Sequence, residues 1–173
     1  MSFSELAKKR FSCRKFKEQE VEQNKIDTIL NAALVAPTAV NKQPQRILVI
    51  NDKEKLSKLN ACTKYGFNAP LCFIICYESE AAYVRRYDGR NSAEIDASIV
   101  TTHMMLQAED IGLGTTWVMA FDPEKIRSHF SIPDNLEILA LLPTGYPAED
   151  APVNPLHDTF IDMNKMVSYN DFN

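Results

Sequence analysis

Read from the amino terminus, the chain alternates helical and strand-like hydrophobic patterns. Phe3, Leu6 and Ala7 form a short apolar face behind Ser2, which can accept from the Glu5 backbone N–H while Glu5 reaches back, the arrangement of a capping box. This predicts a helix ending near Arg10. Ile26, Ile29, Leu30, Ala33 and Leu34 recur at helical spacing. They predict a second helix that stops before Pro37, because a residue preceding proline avoids helical geometry. The runs RILVI at residues 46–50 and LCFIICY at residues 71–77 lack strict alternation, which predicts strands covered on both faces. Between them Asp52 can cap a short helix carrying Leu56 and Leu59.

The longest helical pattern spans residues 92–111. Ala97, Val100, Met104, Ala108 and Ile111 form one stripe, and Ile95, Ile99, Thr102 and Leu106 form another beside it. A helix apolar over more than one face sits at the centre of something, either the domain core alone or the core plus a subunit interface. Asp122 followed by Pro123 opens a further helix, and residues 136–142 read as a third strand. The region after residue 143 is rich in proline, and the segment from about residue 150 to 173 is polar with scattered apolar anchors. Such a tail is either loose or strapped across a partner.

At 173 residues, with 45% hydrophobic and 24% charged positions, the chain suits one soluble globular domain. A formal charge of -4 with scattered Lys and Arg argues against a nucleic-acid surface. No apolar run approaches a membrane span and no signal-peptide core opens the chain, so a cytoplasmic location without membrane contact is expected. Cys13, Cys62, Cys72 and Cys76 form no CxxC pair and read as reduced thiols. His103, His129 and His157 lack paired ligand spacing, so no metal site is expected.

Three stretches carry candidate chemistry. In KRFSCRKF, residues 9–16, Arg10, Ser12 and Arg14 share one face if the segment is extended, and Arg10 and Arg14 share one at i, i+4 if it stays helical. Two guanidinium forks with a hydroxyl between them suit a phosphate; a solvated basic patch at a helix C-terminus is the ordinary alternative. In APTAVNKQPQ, residues 36–45, Asn41 and Gln43 each offer a donor and an acceptor for a ring edge of alternating carbonyls and N–H groups, or simply serve a turn. In GLGTTW, residues 112–117, Gly112 or Gly114 can take the left-handed cap conformation. These glycines end a helix instead of opening one, so the stretch is no dinucleotide fingerprint.

In their order and spacing these pieces resemble the nitroreductase family of FMN-dependent flavoproteins. The resemblance runs through R-x-S-x-R at residues 10–14, A-P-T-A-x-N-x-Q-P at 36–44, G-L-G-T-T-W-V at 112–118 and G-Y-P at 145–147, nearly the whole chain. It implies an α+β fold with a central, mostly antiparallel sheet flanked by helices and a long buried central helix. It also implies a homodimer with the flavin site at the subunit interface, residues 150–173 being placed to embrace the partner.

The site residues follow by the same resemblance. Arg10, Phe11, Ser12 and Arg14 look like contacts to the flavin phosphate and ribityl chain. Pro37, Thr38, Ala39, Asn41 and Gln43 look like the loop that meets the isoalloxazine ring, often from the second subunit. Trp117 with the backbone of Met119 and Ala120 falls where members place N–H groups toward flavin N5 and O4, and Asn68 is a further ring candidate. The implied activity is an oxidoreductase in which non-covalently bound FMN takes hydride at N5 from NADH or NADPH and passes it, ping-pong, to an electron-poor acceptor such as a nitroaromatic or quinone. No protein group need act as acid or nucleophile. Dehalogenase or dehydrogenase chemistry on the same fold, and a flavin-binding or storage protein, are the alternatives. One departure stands out: many short members carry a basic residue in a stretch like P-L-H-x-x-R, whereas PLHDTF here has Phe160, leaving His157 as the neighbouring phosphate candidate.

Overall fold

The computed structural model describes residues 1–172. The first helix, α1 (Phe3–Lys9), carries the complete capping box, with Glu5 N–H donating to Ser2 Oγ and Ser2 N–H to the Glu5 carboxylate. It ends where Arg10 turns extended, as its pattern predicts. Helix α2 (Gln23–Val35) stops two residues before Pro37. Strand β1 (Gln45–Ile50), helix α3 (Lys53–Asn60) capped by Asp52, and strand β2 (Leu71–Tyr77) follow. The long helix α4 (Ala93–Asp110) leads into a two-residue strand β3 (Gly114–Thr115), then α5 (Pro123–Phe130) and β4 (Glu137–Gly145). A single helical turn, α6 (Met163–Met166), lies in the tail.

The strands form one sheet in the order β1-β2-β4-β3, antiparallel at every pairing. Alternation sends Phe73, Ile75 and Leu142 to one face, where Ile26 and Ile29 of α2 and Val100 and Met104 of α4 pack on them. Cys72, Ile74 and Leu141 face the other side, against Leu59 of α3 and Ile126 of α5. Each such fully buried side chain contributes about 1.5–3 kcal/mol.

The expectation of two-sided cover holds for β2, whose residues from Leu71 to Cys76 are all buried, and fails for β1. β1 is a sheet edge that α3 and α5 cover only at its end: Ile50 is buried against Leu59 and Ile126, while Arg46 and Leu48 on that face are exposed. The long helix answers the choice its sequence left open in a divided way. Ala97, Val100, Met104 and Ala108 are wholly buried, while Ile95 is 44% exposed and Ile99 and Leu106 are only partly covered. The second stripe therefore lacks a full partner among the described residues. A groove of about 820 Å³ runs beside it, lined by Phe3, Leu6, Val35 and Leu106 among others.

Candidate functional site

The segment after α1 is extended, because Ser12 forms a parallel bridge with Thr115 and Cys13 N–H donates to Thr115 O at 2.9 Å. Cys13 points into the body and is fully buried, so Ser12 and Arg14 turn outward. Such close running explains the glycines of GLGTTW separately. Gly112 has φ +82 and supplies the left-handed helix stop. Gly114 is needed for room: a Cβ there would stand 2.6 Å from the Cys13 Cβ. Burial pushes the Cys13 thiol pKa up, with Glu109 acting in the same direction, so Cys13 is no thiolate nucleophile. Burial likewise raises Cys72 to about 12 and Cys76 to about 11.

Arg10, Phe11, Ser12, Arg14 and His157 line one cleft of about 290 Å³, together with Asn154 and Leu156 from the tail. Its cations are open. Lys15 and Lys17 pair with Asp150 and Glu149, but Arg10 and Arg14 form no ion pair among the described residues. Arg14 makes one hydrogen bond, from Nη1 to Ser12 O at 3.2 Å. His157 Nε2 lies 3.0 Å from Lys8 O, and since a carbonyl only accepts, that nitrogen carries the proton. Phe160 is 81% exposed and lines no part of this cleft.

Arg14 also lines a second cleft of about 230 Å³ with Trp117, Met119 and Ala120, joined by Tyr65, Phe67, Thr116 and Val118. Here the backbone is notable. Val118 N–H donates to Leu141 O and Phe121 N–H to Met119 O, whereas the N–H groups of Met119 and Ala120 have no partner among the described residues. Thr63 Oγ fixes this ledge by donating to Ala120 O at 2.7 Å. Two adjacent free N–H donors beside aromatic walls, with a guanidinium leading to a cationic cleft, suit a flat heteroaromatic ring bearing a phosphate.

The remaining candidates lie elsewhere. Pro37, Thr38, Ala39, Asn41 and Gln43 line neither cleft. Their loop is tightly made: Thr38 precedes a 3₁₀ turn over Ala39–Asn41, and Val40, Asn41 and Gln43 have φ of +52, +54 and +49. Gln43 Nε2 donates to Asn41 Oδ1 at 3.0 Å, which leaves Asn41 Nδ2 as a donor and Gln43 Oε1 as an acceptor at the loop surface. Asn68, at φ +50, lines a different cleft with Glu18, Glu20 and Lys53; its neighbour Phe67 is the residue that reaches the Trp117 cleft. Tyr65, Phe67, Thr116, Asn154 and Leu156 escaped the sequence reading. An aromatic doublet around Gly66 was the visible signal for the first two.

Comparison with known proteins agrees on the family, while the names of the relatives differ in activity. The family described as "Nitroreductase family" matches residues 7–65 and 64–146. A crystal structure of a nitroreductase family protein from Clostridium difficile 630 superposes with a TM-score of 0.92 at 42% identity, covering 99% of this chain and 100% of the other. An FMN-dependent nitroreductase from a second C. difficile strain superposes with a TM-score of 0.79 at 32% identity, covering 96% and 98% of the two chains. "FMN reductase [NAD(P)H]" of Bacillus subtilis is 26% identical over 162 residues, which take in 83% of this chain and 65% of that protein.

Proposed function

This chain belongs to the nitroreductase family, and we propose that it is an FMN-dependent oxidoreductase taking hydride from NADH or NADPH and passing it to an electron-poor acceptor such as a nitroaromatic or quinone. The observation that carries this reading is Arg14, which lines both the cationic cleft of Arg10 and the ledge of free N–H groups at Met119 and Ala120. FMN, when bound, supplies the hydride transfer.

Each protein group has a part in holding it. Arg10, Ser12 and Arg14 would hold the phosphate, with guanidinium forks matched to its oxygens. Met119 and Ala120 N–H would orient the ring edge and favour negative charge there, because fixed backbone donors need no reorganisation. Phe67 and Trp117 would shield the ring from water. No acid, base or nucleophile from the chain is required, in keeping with cysteines held protonated by burial. All four thiols are free and buried, and we place the protein in the reducing cytoplasm; among the described residues no helix is long and apolar enough to cross a membrane.

The site is completed by a second copy. Each cleft is smaller than the roughly 300–1,000 Å³ of a complete small-molecule pocket, and the Asn41–Gln43 amides stand apart from both. Leu156, Phe160, Ile161, Met163 and Tyr169 of the tail are exposed apolar groups, and the α1–α2–α4 groove is an exposed apolar surface. A two-fold dimer covers the groove, wraps the tail across the partner and brings the loop of one subunit to the clefts of the other.

Purified protein should be yellow and should bleach anaerobically with NADH or NADPH, recovering colour on addition of a quinone or nitroaromatic. Yellow protein that neither donor bleaches would make it a flavin binder, a reading that exposed Phe160 favours. Colourless protein that takes up no added FMN would end both.

A further inference from the structure

Asp96 lies one turn into α4 and is 2% exposed. A buried carboxylate persists only where partners satisfy it, so those partners indicate its use. Ser92 Oγ donates to Oδ2 at 2.7 Å, and the Ala39 backbone N–H donates to Oδ1 at 2.8 Å. Ser92 occupies the N-cap position of α4, yet its hydroxyl makes no cap bond and serves the carboxylate instead. Asn91 Oδ1 takes over at the helix start, accepting from Ala93 N–H at 2.8 Å.

Ala39 opens the turn whose next residues are left-handed. That conformation is strained for a β-branched residue such as Val40 and persists only where surroundings enforce it. Thr38 Oγ accepts from Gln43 N–H at 3.1 Å and Arg46 donates to Gln43 O at 3.1 Å, both from within a few residues. Asp96 provides the tie to the core helix, from 57 residues away in the chain.

We infer that Asp96 is a positioning residue for the cofactor: its bond to Ala39 N–H fixes the Asn41–Gln43 amide pair to α4 at the height where those amides meet the flavin ring. This rests on the reading, given above, that residues 36–43 contact the ring. A carboxylate suits the task because a charge-assisted bond is shorter and stiffer than a neutral one. Ala97 and Val100, the next core positions of α4, are fully buried, so the anchor itself does not drift.

Two measurements test this on the full-length protein. The first is amide hydrogen exchange of residues 40–43 without flavin; the second is fluorescence titration with FMN and with lumiflavin, which has the ring but no phosphate. Asp96→Ala should quicken exchange at residues 40–43 and lower the affinity for both ligands by the same factor, about tenfold. Ala39→Pro removes the donor and leaves the carboxylate buried with Ser92, so it should repeat both effects even if Asp96→Ala folds poorly. Asp96→Asn, which can still accept from Ala39 and donate to Ser92, should restore most of the loss. Arg10→Ala serves as the control, since Arg10 lines the cationic cleft and not the Trp117 cleft, weakening FMN but not lumiflavin.

Unchanged lumiflavin affinity in Asp96→Ala and Ala39→Pro, with Arg10→Ala still weakening FMN, would overturn the inference and leave the proposed function standing. Faster exchange throughout α4 and the sheet would also overturn it, marking a general structural role. A parent protein that binds neither flavin would remove the proposed function itself, and the inference with it.

Discussion

Around Arg14 the chain leaves its donors open, and around Asn41 it turns them on one another. Arg10 and Arg14 carry no ion pair, and Met119 and Ala120 hold out N–H groups with no partner among the described residues. The Asn41 loop instead binds Gln43 to Asn41, Gln43 to Thr38 and Ala39 to Asp96. An open set of donors is adapted to an anion that arrives from outside, at the expense of stability without it. A closed set keeps its shape whether or not anything is bound. In the proposed dimer the contrast becomes a division of labour, in which one half captures and the other, carried on the second subunit, presents a preformed edge.

The strongest way to break that division is to separate the subunits of the proposed dimer. Val35, 76% exposed and lining the α1–α2–α4 groove, should be buried in the dimer. Val35→Asp would place an unpaired charge there, costing about 3–5 kcal/mol, or more than a hundredfold in dimer dissociation constant. Sedimentation should show a monomer at micromolar concentration, and FMN affinity should fall with it. A monomeric variant holding FMN as tightly as the parent would show that the open half suffices alone.

Arg14→Ala acts on the open half directly and should rank next. It leaves the phosphate one guanidinium fork short, and a hydrogen bond to a charged partner contributes about 1.5–3 kcal/mol, so FMN affinity should fall about 10- to 100-fold with the dimer intact. Unchanged affinity by fluorescence titration would move the phosphate elsewhere.

How much of this the sequence disclosed differs between the two halves for a physical reason. Helices and β2 were legible because their burial is periodic or continuous over many residues, as in Phe73, Val100 and Met104. β3 was not, since two residues, Gly114 and Thr115, become a strand only by pairing with Gly145 and Thr144, some thirty positions away. The edge position of β1 was hidden likewise, because a run such as RILVI does not say which neighbours will cover it. At the site, residue types and spacing pointed to Arg10 and Arg14 as a pair that converges whether extended or helical, with Ser12 joining them in the extended form that the segment takes. The open donors of Met119 and Ala120 depend on which backbone groups the sheet leaves unpaired, a property of the fold that no side chain announces. The resemblance pointed to that segment where composition could not.

Phe160 offers the smallest and most discriminating test of the open half. It stands three residues beyond His157, exposed, where the family pattern leads one to expect a basic side chain. If the cationic cleft captures a phosphate, Phe160→Arg adds a third guanidinium within the tail's reach. An exposed charge must order a long side chain and works against solvent screening, so the gain should stay within about fivefold in FMN affinity. It should shrink as salt is raised, because the Debye length falls from about 10 Å at 0.1 M to about 3 Å at 1 M. Lumiflavin affinity should not change, since that ligand has no phosphate to meet the new charge. An equal gain for both ligands would mean that the tail acts on the ring side of the site, and the separation between capturing and presenting halves would then lie elsewhere than between Arg14 and Asn41.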